Sequence, residues 1–360
     1  MLVATLLWRG SDAAATDSTT APPADVPPGA PAGGVSEVWS ADGDRIPETV
    51  VQDGRVLVGS RHGVRALDPL TGREAWHYTR ANARVCGLVV TDGVAVAVFA
   101  TDDRCDEAVA LDAGTGVRTW TRSLSLAGDA VLDSTTAIVL ASNPTGLVTF
   151  DPTGNNIRWR HAPPEGCRLL AADAGSTGVA VLQRCAGKNL QVRLLDGFAG
   201  SVHWSHDLPA AGAADVRLLG ADEAVTVLVG EEVHTLAGPD GAALARVPVP
   251  AGTADVEQVT VGGVSLVRVD GTVSALDAST GVLLWEAPAT GLPAARGSVG
   301  DADSAAAIVL PDDAGFSSRD PATGAQLDRF DAPAPPPGGT ATAIGPVVVL
   351  RLDDRVLGYR

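Results

Sequence analysis

Residues 275–287 read ALDASTGVLLWEA, with an acid at 277, a Ser-Thr pair at 279–280, a glycine at 281 and a tryptophan at 285. Met once, such a cluster could pass for a reactive or ligand-binding loop. It is met repeatedly. RALDPLTGREAWHY (65–78) and VALDAGTGVRTWTR (109–122) keep the same order, with Gly four residues after Asp and Trp four after Gly. VTFDPTGNNIRWRH (148–161) holds Asp151 and Trp159 but has its glycine at 154, and RLLDGFAGSVHWSH (193–206) has Asp196, Gly200 and Trp204. HTLAGPDGAALARV (234–247) is degenerate, with Ala237, Gly241 and Ala245. SSRDPATGAQLDRF (317–330) has Asp320 and Gly324, with Asp328 in place of the tryptophan.

The first positions fall at 68, 112, 151, 196, 237, 277 and 320, a mean step of 42 residues, which is the period of a propeller blade. Each period divides alike. Two runs rich in Val, Leu, Ile and Ala flank a tight turn, as in ETVVQDGRVLVGS (48–60) and DVEQVTVGGVSLVRV (255–269). A third run ends at the Asp and a fourth carries the Trp. Four short antiparallel strands per period, repeated, predict a β-propeller. No stretch after residue 35 shows sustained helical periodicity.

Seven motifs give seven blades of consecutive strands. The last stretch, TATAIGPVVVLRLDDRVLGYR (340–360), supplies three more strands and stops where the next motif would begin. VSEVWSA (35–41) carries Trp39 with no strands of its own before it. Joining 35–41 to the last three strands predicts an eighth blade and a closed ring, which removes the exposed sheet edges of an open array.

Within the motif each residue type has a mechanical use. Asp68, Asp112, Asp151, Asp196, Asp277 and Asp320 can accept hydrogen bonds from the N–H groups of the turn that follows. Gly72, Gly116, Gly200, Gly281 and Gly324 can take a positive φ without a Cβ clash. Six of the seven tryptophans (Trp39, Trp76, Trp120, Trp159, Trp204 and Trp285) hold one position on the outer strand, where a flat ring can fill the gap to a neighbouring blade.

The pattern Ala-x-Asp-x-x-Thr-Gly-x-x-x-Trp at Ala66–Trp76, and its counterparts at Ala110–Trp120 and Ala275–Trp285, resembles the tryptophan-docking repeat of pyrroloquinoline-quinone-type propellers. The resemblance covers residues 35–360. It implies the fold strongly and the activity weakly, because the family includes quinoprotein dehydrogenases, a propeller subunit of outer-membrane β-barrel assembly and kinase sensor domains. The dehydrogenases are larger and place a disulfide between adjacent cysteines over the quinone, with Glu, Asn and Asp beside a calcium ion. This chain has no adjacent cysteines and no matching Glu, Asn and Asp cluster, so the expectation is a non-catalytic member without cofactor or metal.

Other chemistry finds no footing. The six histidines (62, 77, 161, 203, 206 and 234) are scattered, and DDRCDE (102–107) lacks the glycine and closing glutamate of a calcium loop. A net charge of −17 repels phosphate backbones and anionic lipid, so nucleic acid is excluded as a partner.

The amino-terminal residues suggest how the body is held. Residues 1–9 form an apolar stub ending in Trp8-Arg9, too short to span a bilayer, and read either as an unstructured terminus or as the end of a transmembrane helix that starts upstream of Met1. Residues 10–34, built from Ala, Pro, Ser, Thr, Gly and Asp, read as a disordered linker, and that layout favours the anchor.

Cys86 and Cys105 are 19 apart, Cys167 and Cys185 18 apart, and each couple falls at one end of its blade, with Cys86 expected to begin an inner strand and Cys105 to lie in the turn between the second and third strands. Two disulfides are expected, and with them an oxidising, extracytoplasmic compartment. The same end, opposite the Asp-x-x-Thr-Gly turns, carries Arg80, Arg84, Asp102, Asp103, Arg296, Asp312 and Asp313, the candidate partner-binding face. With the linker entering at Val35, this face is expected to point away from the membrane. The sequence therefore reads as a monomeric, membrane-anchored cell-envelope propeller that binds a protein or envelope component. A redox or small-ligand enzyme using the central channel is the alternative.

Overall fold

The computed structural model describes residues 12–101, 104–126, 128, 130–186, 190–208, 215–253, 255–295 and 307–360. The stub at 1–9, Asp102, Asp103 and Arg296 lie outside the described residues. The described residues are all-β apart from one helical turn, Asp12–Ala15, which we label α1. It forms two compact units, one from residues up to Val131 with Thr342–Arg360, the other within Leu132–Ala341.

The sheets carry the blades of a β-propeller: five are four-stranded, one has five strands and one eight, with the blade strands antiparallel and taken in chain order. The first blade runs Val51–Gln52, Arg55–Ser60, Gly63–Leu67 and Glu74–Arg80, and the second Arg84–Thr91, Val94–Thr101, Arg104–Asp112 and Arg118–Ser123. Four further sheets of the second unit repeat the order between Val131 and Pro288, and Ile308–Asp312, Gly315–Arg319 and Gln326–Asp331 continue it. Strand Glu37–Asp42 pairs with Arg355–Tyr359 beside Val347–Arg351 and Thr340–Ile344, so the amino-terminal strand completes the carboxyl-terminal blade.

Local chemistry accounts for the strands. Apolar β-branched runs favour extended backbone, and the turns between them use residues that tolerate positive φ. Asp53-Gly54 turns at φ 47° and 69°, Asp92-Gly93 at 47° and 72°, and Asp270-Gly271 at 49° and 77°. Both residues are left-handed in each pair, the conformation that matches the twist of a two-residue hairpin. Middle strands are wholly buried, as Ala224–Val229 is, whereas outer strands such as Arg118–Ser123 bury mainly the tryptophan.

Every outer strand also slips register just before its tryptophan position. Ala275 pairs with Trp285, but Leu276 pairs with Leu283, and the same slip precedes Trp39, Trp76, Trp120, Trp159 and Trp204. A bulge bends the strand and re-aims the side chain that follows.

Two expectations need correction. Residues 12–34 are not a loose linker: Thr16–Ser18 adds a fifth strand to the first blade, pairing with Tyr78–Arg80. Main-chain hydrogen bonds, which need no apolar side chains, hold a segment whose composition suggests disorder. Cys105 lies within strand Arg104–Asp112 rather than in a turn, because that strand begins one residue before it.

Candidate functional site

Each motif carboxylate is engaged by its own turn through Oδ1. Asp277 Oδ1 accepts Ser279 N–H (3.0 Å) and Oγ (2.7 Å) together with Thr280 N–H and Oγ1 (both 2.8 Å). Asp68 accepts from Leu70 and Thr71, Asp112 from Thr115, Asp151 from Thr153 and Gly154, Asp196 from Phe198 and Ala199, and Asp320 from Thr323. At Asp151, Asp277 and Asp320 the donors favour the charged form. The Ser279 and Thr280 hydroxyls hold Asp277 below the ordinary carboxylate range, and the Thr323 N–H does so for Asp320. Around Asp151 burial pushes upward, but the Gly154 and Thr153 donors outweigh it. In each case Oδ1 is committed to the carboxylate's own turn, which makes the acid part of the turn.

Five of the motif turns then receive an indole from the preceding repeat. Trp39 Nε1 donates to Pro69 O (2.9 Å), Trp76 to Ala113 O (3.1 Å), Trp159 to Gly197 O (2.9 Å), Trp204 to Gly238 O (2.7 Å) and Trp285 to Pro321 O (2.8 Å). The acceptor is always the residue after the Asp position. The ring lies on the glycine four past that position: a Cβ on Gly72, Gly116, Gly200 or Gly324 would sit 2.6 Å from a carbon of Trp39, Trp76, Trp159 or Trp285. These glycines have φ of 66°, 76°, 72° and 70°, so both the turn and the close approach demand them. In the repeat at 151 the left-handed position is filled by Asn155 at φ 56°, the residue next best suited to it. Gly154 is therefore not a displaced motif glycine. Trp120 is buried on its strand.

The cysteines form Cys86–Cys105 and Cys167–Cys185, with Cα atoms 6.0 and 3.9 Å apart, and none is free. Each closes its blade at the end opposite the motif turns. The quinone chamber that the resemblance implies needs adjacent bridged cysteines; here each bridge joins distant strand ends, so this donor set does not fit the quinone. Among the described residues no group of three or more His, Cys, Asp or Glu side chains is placed to hold a metal ion.

The candidate partner face changes character. Arg80 is only 2% exposed, its guanidinium set between Asp12 (2.7 Å) and Glu107 (2.6 Å) and 5.5 Å from the Phe99 ring centroid. It is an internal tie, not a rim cation. Arg84 is half-buried, Asp313 is exposed, and Asp312 is paired with Arg329, which also meets Asp331 at 3.0 Å. Arg268 repeats the arrangement, buried and reaching Glu257 at 2.9 Å and the Asp255 carboxylate. Burial works against the Arg268 charge, yet the two carboxylates raise its pKa overall. Arg80, Arg268 and Arg329 are thus each paired with two carboxylates.

One half-buried acid lies outside the motif. Asp133, on strand Val131–Ser134, accepts N–H bonds from Ser134 (2.7 Å) and Ala174. Burial, joined by the neighbouring Asp173 carboxyl, pushes its pKa well above the usual range against those donors. Asp173 lies on the first strand of the next blade, and its carboxyl disfavours charge on Asp133. A single acid in the apolar run AVLDSTT is the only sequence signal that could have pointed there. On the other end of the first unit, a hollow of about 390 Å³ opens between Pro23–Val26, Val51, Asp53 and the Asp112–Thr115 turn.

Blades closed by tryptophans resting on the next repeat's turn define a propeller of the pyrroloquinoline-quinone-like repeat class. The chain belongs to the family described as outer membrane protein assembly factor BamB, whose profile matches residues 24–174 and 188–356. No curated protein matches it. Among solved structures it is similar to BamB from Moraxella catarrhalis, at 17% identity and a TM-score of 0.52, covering 91% of this chain and 99% of that one. It is also similar to the computationally designed Ika8 protein, at 15% identity and a TM-score of 0.60 over the same shares. At such identities both likenesses concern the fold alone.

Proposed function

We propose that the chain is a non-catalytic scaffold of the cell envelope, tethered to a membrane through its amino-terminal residues, that binds a protein or envelope component. The observation that carries this reading is the match to an assembly-factor family along nearly the whole body. Two disulfides favour an oxidising, extracytoplasmic setting. The repeated residues that first suggest chemistry are engaged in turns and inter-repeat packing, which leaves recognition to the loops where repeats differ. Arg84, Asp312 and Asp313, at the ends of their own blades opposite the motif turns, remain candidates for that surface; no described helix is long and apolar enough to cross a membrane.

Crosslinking in intact cells, followed by pull-down of the full chain, tests the reading. A defined protein or envelope component captured from the membrane fraction is expected. A purified chain that carries a quinone absorbance with stoichiometric calcium, or four free thiols in a cytosolic fraction, overturns it.

A further inference from the structure

Residues 12–34 have the composition of a slack tether but run along the first unit from one end of a blade to the other. The course begins at the end that bears Cys86–Cys105. Asp12 Oδ1 meets Arg80 Nη2 at 2.7 Å and accepts from Asn82 Nδ2 at 2.8 Å, and Arg80 reaches Glu107, two residues from Cys105. Thr16–Ser18 then pairs along the outer edge of Glu74–Arg80, flanked by Ala81 N–H to Ala15 O and Thr19 N–H to His77 O, both 2.9 Å. This strand covers an edge that would otherwise stand open.

The segment leaves the edge at the motif-turn end. Ala21 N–H donates to Thr115 O at 2.9 Å, and buried Arg55 clasps Pro22 O (3.0 Å) and Gly114 O (3.2 Å). Asp25 and Pro27 pass so close to Gly54 and Gly345 that neither glycine has room for a Cβ. Only then does the chain reach Val35. The tether therefore departs from the disulfide-bearing end, contrary to what its entry at Val35 suggests.

We propose that residues 12–34 act as a docked strap that turns the Cys86–Cys105 end of the first unit toward the surface to which the chain is attached. A partner that engages this end, beside Arg84 and Arg104, is then one embedded in or fixed to that same surface. The inference rests on the tethering proposed above. It also removes slack: undocked, the strap would add a coil on the order of 25 Å between body and surface.

The test attaches the full chain by an amino-terminal hexahistidine tag to nickel-chelating vesicles that contain a quencher-labelled lipid. The tag supplies the attachment, so the result is independent of natural tethering, which cell fractionation reads separately. All four cysteines are paired, so a fluorophore can be placed on Arg104→Cys, 52% exposed at the disulfide end, or on Val117→Cys, 50% exposed at the turn end. Quenching at 104 is expected to exceed that at 117 by about two-fold, since an eight-residue strand separates the ends by roughly 25 Å. Asp12→Ala combined with Asp17→Pro, which releases the strap and leaves the body intact, should lower and equalise the two signals. Equal or stronger quenching at 117 with the strap unaltered overturns the proposal, as does a difference that survives the double substitution.

Discussion

Two junctions between successive repeats show what the motif residues do. At the complete one, the Trp76 ring lies on Gly116 and its N–H reaches Ala113 O. At the degenerate one Ala245 replaces the tryptophan, and the Leu244 main chain itself rests on Gly281, whose Cβ would meet Leu244 C and O at 2.7 Å. The turns hardly notice. Gly241 N–H donates to Ala237 O at 2.8 Å although Ala237 has no carboxylate, just as Gly281 N–H donates to Asp277 O at 2.7 Å. The left-handed glycine shapes the turn, the acid reinforces it, and the indole fills a gap that a closer strand can also close.

The largest effect should come from making the first junction resemble the second. Trp76 is fully buried, so Trp76→Ala is expected to cost about 3–5 kcal/mol in urea unfolding. A cost below about 1 kcal/mol would mean that the strand closes up there as it does at Leu244. Double replacement of Cys86 and Cys105 by serine should cost roughly 3 kcal/mol, through the freed loop of the unfolded chain. The reverse experiment, Ala245→Trp, is expected to destabilise by about 1–3 kcal/mol, because the Leu244 main chain already occupies the ring's place. Stabilisation by that substitution would show that the repeat pattern outranks local packing.

Smaller effects separate the two kinds of carboxyl by pH. Asp277 and Asp320, held low by their turn donors, contribute stability that is present above the unfolded carboxylate range and lost as pH falls through their depressed folded values. Asp133, held high by burial and Asp173, has the opposite sign: its contribution is complete below the unfolded value and declines as pH rises toward the folded one. Asp133→Asn should therefore raise the melting temperature at neutral pH relative to pH 4, while Asp277→Asn should lower it most above pH 5. Melting curves across pH 3–8 check both signs.

The sequence made the blades legible because their signal is periodic: apolar runs, two-residue turns and a motif every 42 residues on average. The Trp39 strand that completes the last blade was legible for the same reason, as a lone fourth strand without its other three. The strap was not legible, because main-chain hydrogen bonds and a clasping Arg55 hold it, and neither leaves a mark on residues 12–34 themselves. Arg80 looked like a rim cation because its partners, Asp12 and Glu107, are distant in sequence. The left-handed position of the repeat at 151 is less legible, because it holds Asn155 where the other repeats have glycine.

The central claim is that the repeated Asp, Gly and Trp are architecture, with the indole seated on the next repeat's glycine. A double-mutant cycle between Trp76→Ala and Gly116→Ala measures that contact directly. In the presence of the indole, the added methyl must displace a ring carbon 2.6 Å away as well as strain a φ of 76°; without it, only the strain remains. The account predicts that Gly116→Ala costs at least about 1 kcal/mol less in the Trp76→Ala background. Equal costs in both backgrounds, within about 0.3 kcal/mol, would contradict it.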